Sequence, residues 1–456
     1  ERVFNVQRDG CLVPTPRPVP GFLQNVTSRF QSRLKQYVKP LPPLTDEQFA
    51  SRYHGRRRLT YEKALESLHV QGVLRKDAFI KMFVKAEKIN LSAKNDPAPR
   101  AIQPRSPRYC AALGKLIAHA EKPCFRALAK VFGYKVVFKG MNAAESGAAM
   151  KSHWDAFDRP VAIGLDASRF DQHVSRDALE IEHSLWELFV LPGSRGELRK
   201  LLRMQLKNFG VAVTPDGKIK YTVDGCRMSG DMNTSSGNCL IMCALVFSYM
   251  GIYGPNVKYR LANNGDDCVL FLEKRDLAVA SSIPEFFSKC GFTMKVEEPV
   301  YELEQVEFCQ TRPVFTSKGW VMVRDPRVAM AKDLTANCDL STLPVRAAWT
   351  HAMRCGGLAL TDGVPVWPQF YRMFPSSGVP GKKYTQELHR LTESGFAKMT
   401  QGLKYEAEPT LPESRYSFWL AFGINPDEQV ALENYFRTIS LNAFDGRRRT
   451  TVLALI

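Results

Sequence analysis

Asp166, Asp266 and Asp267 are the residues of this 456-residue chain whose type and placement could do chemistry. Each is expected at the end of an apolar strand. Val161-Ala162-Ile163-Gly164-Leu165 runs into Asp166, and Leu261-Ala262-Asn263-Asn264-Gly265 runs into Asp266-Asp267. Asn-Asn-Gly is hairpin chemistry, because Asn and Gly accept the left-handed dihedrals of a tight turn. Taken alone, an Asp-Asp turn is more often a solvated loop tip than a site. If the two strands are neighbours in one sheet, the three carboxylates converge. Carboxylates at that density need divalent cations, and hard oxygen donors select Mg²⁺ or Mn²⁺. Two ions about 3.5–4 Å apart can activate an attacking hydroxyl and stabilise a leaving pyrophosphate oxygen.

The elements that must position these groups follow from periodicity. Residues 259–262 and 268–272 read as the strands of the Asp-Asp hairpin, and residues 161–165 as a buried central strand. Residues 176–190 are an amphipathic helix stopped by Pro192-Gly193, and a second helix is expected over 197–208. A hairpin turning at Pro215-Asp216-Gly217 follows. Residues 228–238 form a small polar loop that runs into an apolar helix over 238–249. Such a loop presents free backbone N–H groups to an anion or a sugar, although it is also how an ordinary helix is capped. Residues 278–289 are helical, 292–297 a strand, and 305–310 with 313–324 an antiparallel set. From about 326 the pattern is helical to the end, with a Pro/Gly break at 374–381. Nearer the start, residues 11–20 alternate proline into a polyproline-like strap. Thr45-Asp46-Glu47-Gln48 is a capping box opening a helix. Residues 112–130 have helical periodicity broken at Pro123. There are no internal repeats.

Composition is that of a folded globular protein, 45% hydrophobic, with a formal charge of +17. The first 110 residues hold 21 Lys and Arg against 9 Asp and Glu. A polyanion partner, most simply nucleic acid, is the natural inference, though a basic protein can be merely soluble. Basic and apolar residues alternate in Lys81, Met82, Phe83, Val84 and Lys85. A loop at 95–99 then leads to a second strand with Arg100, Ala101 and Ile102, followed by Arg105 and Arg108. This basic hairpin suits a triphosphate or the edge of a nucleic acid. Arg56-Arg57-Arg58 is either a solvated helix face or a phosphate contact. The 11 cysteines include no CxxC pair and are expected reduced and mostly buried, as in a cytosolic protein. No signal peptide is visible, and the longest apolar run, residues 240–253, suits a buried helix better than a membrane span. The chain begins at Glu1, so a fragment or processed product is expected, with a targeting or anchoring segment upstream.

The order of these features resembles the palm-domain series of viral RNA-dependent RNA polymerases. A basic strand pair precedes Asp166-x4-Asp171, Ser229-Gly230-x3-Thr234-x3-Asn238, Gly265-Asp266-Asp267 and Phe308-Cys309-Gln310. Asp-Ala-Ser-Arg-Phe-Asp, Ser-Gly-Asp-Met-Asn-Thr-Ser-Ser-Gly-Asn and Asn-Asn-Gly-Asp-Asp most closely resemble the replicases of the tombusvirus family, plant positive-strand RNA viruses. The motifs span residues 79–320. The resemblance implies an α+β right-hand fold. Residues 1–160 would form strap and fingers, 161–195 palm, 196–228 a fingers/palm insertion, 229–323 palm, and 324–456 a helical thumb.

The resemblance also implies residue roles. Asp166 and Asp266 would bind two Mg²⁺ or Mn²⁺ ions, with Asp267 in support. Asp171 and Asn238 would hold the ribose 2′-hydroxyl of the incoming nucleotide, and Ser229, Gly230 and Thr234 would belong to the loop that senses nucleotide and template. Arg100, Lys85 and Lys88 would bind triphosphate. Arg105, Arg108, Phe308 and Cys309 would lie along RNA, the last two in a hairpin under the primer strand. Lys295, or else Lys289, would be the general acid toward pyrophosphate. The implied partners are RNA template and nascent RNA, ribonucleoside triphosphates, and a membrane-anchored viral replication protein or upstream segment, with a homo-oligomer also open. The implied setting is a membrane-associated replication complex in the host cytoplasm, with primer-independent starts.

Three other readings compete with this one and fit the residues less well. A reverse transcriptase would usually carry a bulky aromatic where Asp171 stands. A non-enzymatic RNA-binding scaffold accounts for the charge but not for three strand-end carboxylates. A two-metal nuclease would need neither a ribose selector nor a triphosphate-binding strand pair.

Overall fold

The computed structural model describes residues 3–8, 10–88, 98–214, 216–336, 339–375, 396 and 399–439. Most of the expected turn at 95–99, Pro215 of the expected hairpin turn, and most of the break at 374–381 lie outside the described residues.

At the centre is a four-stranded antiparallel sheet in the order Met294–Val296, Pro160–Ala167, Asp267–Glu273, Tyr259–Asn263. The two middle strands are apolar at nearly every position because both faces are covered. Val161, Ile163, Leu165, Leu270 and Leu272 face the helix Thr234–Tyr253 and its surroundings. Ala162, Val269 and Phe271 face a second cluster with Phe138, Phe308, Val314 and Val323. The helix Thr234–Tyr253 is buried along most of its length. Each large apolar side chain it buries contributes about 1.5–3 kcal/mol. By length and composition it is the one helix among the described residues that could cross a membrane, and here it serves as the core of the fold.

The basic strand Ile80–Val84 pairs antiparallel with Ala101–Ile102 and parallel with Lys207–Thr214, which pairs in turn with Gly217–Asp224. This corrects the helix expected over 197–208. The helix is Arg195–Arg203, and Lys207 and Asn208 already belong to the strand. Residues 305–310 are not a strand either and contribute a single bridge, Phe308 to Thr311; Thr311–Thr316 and Gly319–Arg324 pair in a two-stranded sheet separate from the central one. The break expected at Pro123 falls earlier, in the 3-10 turn Ala118–Ala120. Pro123 lies in the first turn of Glu121–Phe132, where no backbone N–H is required.

The capping box at Thr45–Gln48 is formed in both directions. Arg57 of the basic run lies over the rings of Tyr53 and Tyr61, and Arg58 pairs with Glu62, as on a solvated helix face. The strap pairs Asn5–Arg8 with Cys11–Pro14 and then runs extended to Val19, whose N–H donates to the Lys289 carbonyl. Beyond residue 325 the described chain is helical: Pro326–Asp333, Leu343–Leu360, Trp367–Arg372, Pro412–Phe422 and Pro426–Thr438.

Candidate active site

Strand register brings the three carboxylates together. Asp166 lies directly opposite Asp267 across the central pair of strands, and Asp266 stands one residue earlier in the turn. On its other side Asp166 faces Lys295. Because side chains alternate along a strand, Asp166 shares a face with Ala162 and Gly164, and Asp267 shares it with Val269 and Phe271. Asp166, Asp266 and Asp267 line a cavity of about 260 Å³ with Glu297, Glu307 and Cys309. Burial, with the charges of Asp266 and Asp166 adding to it, pushes the Asp267 carboxyl up to about 6, against a hydrogen bond from the Cys309 amide. Surrounding protein also raises Asp266, where Lys139 and Arg100 oppose the shift.

The turn that carries Asp266 is braced from three sides. Gly265 has φ +100°, a conformation that disfavours any side chain. Asn263 closes the turn through hydrogen bonds to the Gly265 carbonyl and from its N–H. Lys139 Nζ donates to the Asn264 carbonyl at 3.0 Å, and the Phe138 N–H donates to the Asn263 carbonyl. The third brace is the turn Phe308–Thr311. The Cys309 N–H donates to Asp267 Oδ2 at 2.9 Å, and Asn264 Nδ2 contacts Cys309 Sγ. Cys309 and Gln310 both have positive φ, 54° and 59°. Strain of that kind persists only where surrounding contacts over-determine it.

Asp171 and Asn238 are in contact, Asn238 Nδ2 donating to Asp171 Oδ1 at 2.8 Å. Burial raises the Asp171 carboxyl, while the Asn238 bond and the Arg227 charge oppose this. The loop before Asn238 is laced to the basic strand pair. Ser229 Oγ accepts from the Gln103 N–H, and Gly230 sits so close that an added Cβ would fall 2.6 Å from Pro104 Cα. Thr234 Oγ1 donates to the Met228 carbonyl. Lys85 and Arg100 share the carboxylate of Glu87, with Arg100 at 2.7 Å and Lys85 at 3.5 Å. Burial alone would raise Glu87; these two cations outweigh it and hold the carboxyl below its usual range.

Four expected residues, Arg105, Arg108, Lys88 and Lys289, lie elsewhere, while Phe308 stays in the turn beneath the site. Arg105 is fully buried, paired with Asp231 and bonded to the Ala78 carbonyl and Asn208, so it braces the fold and has no surface for RNA. Arg108 is engaged with Asp77, Ser67 and the carbonyls of Gln71 and Gly72. Phe308 is 3% exposed and packs edge-on against Phe138, supporting the turn from below. Lys88 donates to the Lys332 carbonyl at 2.6 Å, in a different cavity. Lys289 is on the surface with Glu285, whereas Lys295 is exposed beside Asp166. Lys139, Arg227, Glu182, Glu297 and Glu307 were not anticipated. Arg227 stands two residues before the Ser-Gly motif, which is the only hint the sequence offers.

The donor set suits hard divalent cations: it consists of carboxylate oxygens, and burial holds two of the carboxyls, those of Asp266 and Asp267, against ionising. Among the described residues no three such groups are yet gathered tightly enough to enclose an ion.

Residues 1–444 match the family described as "Viral RNA dependent RNA polymerase". The chain belongs to that family. It is 46% identical over 442 residues to the RNA-directed RNA polymerase of Tobacco necrosis virus (strain D), covering 97% of this chain and 61% of that protein. It is 47% identical over 435 residues to that of Cymbidium ringspot virus, covering 95% and 52%. The match to that of Tomato bushy stunt virus (strain Cherry) is 46% over 449 residues, covering 97% and 53%. This polymerase-family chain thus spans between about half and three-fifths of the length of these relatives.

Proposed function

We propose that this chain carries the nucleotidyl-transfer centre of an RNA-directed RNA polymerase that adds ribonucleotides to a nascent strand on an RNA template. The observation that carries the reading is the register that sets Asp166 beside Asp267, with Asp266 at the adjoining turn. Mg²⁺ or Mn²⁺ held by Asp166 and Asp266, with Asp267 in support, would neutralise charge on the attacking hydroxyl and the leaving pyrophosphate.

The chain's own residues do the rest. Lys85 and Arg100 exchange Glu87 for the triphosphate, and the Arg100 charge already acts on the Asp266 carboxyl. Asp171 and Asn238 offer an acceptor and a donor to the 2′-hydroxyl, and a sugar without it leaves both unpaired. Lys295, on the strand beside Asp166, is placed to give a proton to pyrophosphate. The turn at Cys309 fixes the Asp267 carboxylate and lies under the growing strand. In this reading the hand has its palm around the central sheet, its fingers around the basic sheet and its thumb in the helices after 325. Primer-independent starts, self-association, and recruitment to replication membranes by an anchored viral protein or upstream segment belong to the same reading, on the strength of family membership.

The test is incorporation of labelled ribonucleotides on several RNA templates with Mg²⁺ or Mn²⁺. The wild-type chain is expected to be active, and Asp266→Ala inactive while still binding RNA. Wild-type protein that binds RNA yet incorporates nothing with either metal overturns the reading.

A further inference from the structure

Asn238 can work as a ribose selector only if its amide is the right way round, and the structure shows what holds it. Arg227 is fully buried, and its Nε donates to Asn238 Oδ1 at 3.2 Å. Arginine has five donors and no acceptor, so only the amide oxygen can face it. An ionised carboxylate is acceptor-only, so only the amide NH₂ can face Asp171. The amide is therefore locked from both ends, with one N–H on Asp171 Oδ1 and a second left over. That N–H and the other Asp171 oxygen make the donor–acceptor pair a hydroxyl needs.

Arg227 grips the second partner as well. Its backbone N–H donates to the Asp171 carbonyl at 2.8 Å. The guanidinium is held in turn by Glu182, at 2.8 Å with neither side chain exposed. Glu182 also accepts from Asn233 and Trp186. Gly237 makes room for the pair, since a Cβ there would fall 2.3 Å from Glu182 Oε1 and 2.8 Å from Arg227 Nη2. A residue needed only for bulk or charge would not be bonded to both halves of the selector.

We propose that Arg227 is a positioning residue for ribose selection: it fixes the Asn238 amide and the Asp171 backbone so that together they recognise a 2′-hydroxyl. The inference rests on the ribose-selecting role proposed above. The test is single-nucleotide incorporation of a ribonucleoside triphosphate against its 2′-deoxy counterpart, read as the ratio of kcat/KM values. Arg227→Gln is still long but can donate or accept, so it does not enforce the amide's direction. Glu182→Gln with Arg227→Gln leaves no unpaired buried charge.

The ratio is expected to fall at least about tenfold, the scale of one misdirected hydrogen bond, mostly through better relative use of the deoxynucleotide. A folded variant that keeps the wild-type ratio, or loses both substrates by the same factor, overturns the inference. If neither variant turns over, the shift of melting midpoint on adding each nucleotide is read instead. A shift still selective for the ribonucleotide overturns the inference, and equal shifts support it. If both variants are unfolded, Arg227→Met with Glu182→Gln, which removes the donor toward Asn238, leaves no buried charge and keeps an acceptor for Asn233 and Trp186, is read by the same criteria. Wild-type protein with no ribonucleotide preference overturns the ribose reading itself and the inference with it.

Discussion

Replacing Asp267 by Asn should make the metal-free protein more stable at neutral pH while damaging its activity. The carboxyl is raised from 3.8 to about 6, first by burial and then by its acidic neighbours. A raised acid binds its proton more tightly in the folded state, so a penalty on folding sets in once pH rises above the unfolded value and is complete above the folded one. The penalty shrinks as pH falls toward the unfolded value. At roughly 1.4 kcal/mol per unit, linkage gives a penalty of about 3 kcal/mol at pH 7.5 and about 1 kcal/mol at pH 4.5. These are upper values, because the neighbouring Asp266 carboxyl is raised as well and titrates with Asp267. Asn keeps the oxygen that accepts from the Cys309 N–H, so the brace survives and only the charge is lost. The assay is thermal or urea unfolding of wild type and Asp267→Asn in chelator at both pH values. The variant should be the more stable at pH 7.5, with the gain at least halved at pH 4.5. A variant no more stable than wild type at pH 7.5, or a gain that ignores pH, refutes the view that the folded site penalises an ionised Asp267.

Two further substitutions probe the supports. Asp231→Asn leaves the Arg105 charge buried without its partner, which should cost about 3–5 kcal/mol in urea unfolding; a loss under about 1 kcal/mol would mean the pair is not the brace described. Gly230→Ala places a Cβ against the backbone of Pro104 and Gln103, neither of which can swing aside. It should cost about 1–3 kcal/mol and reduce nucleotide incorporation, and wild-type values in both measurements would show that the loop and the basic strands are not in register as described.

Much of the site is legible in the sequence because its chemistry is local. Strand–Asp166, the Asn-Asn-Gly-Asp-Asp turn and the capping box at Thr45 each follow from a few neighbouring residues, and each stands where its pattern places it. The departures share one cause. Arg105 and Arg108 carry the same charge as Arg100, and the sequence does not say which of the three meets a buried carboxylate. Asp231 is 126 residues from Arg105, so the ion pair that withdraws this arginine from the surface has no local signature. The strand at Lys207 reads as helix because Leu198, Leu201 and Leu202 set a strong helical rhythm just before it. Its pairing with Ile80–Val84, which ends that rhythm, comes from far along the chain.

The sequence by itself determined the apolar strands, the turn that must contain Gly265, the acidic residues at strand ends and the basic character of the first 110 residues. These follow from side-chain type and near-neighbour spacing, which act over a few residues. Only the tertiary structure decided that Asp166 stands opposite Asp267 rather than one position off, where a one-residue slip would turn its carboxylate to the other face of the sheet. It also decided which cations stay exposed, as Lys85 and Arg100 do beside Glu87, and which are drawn in by Asp231, Asp77 and Glu182. Those outcomes depend on burial, and burial is a property of the packed chain, settled where segments a hundred residues apart exclude water from one another.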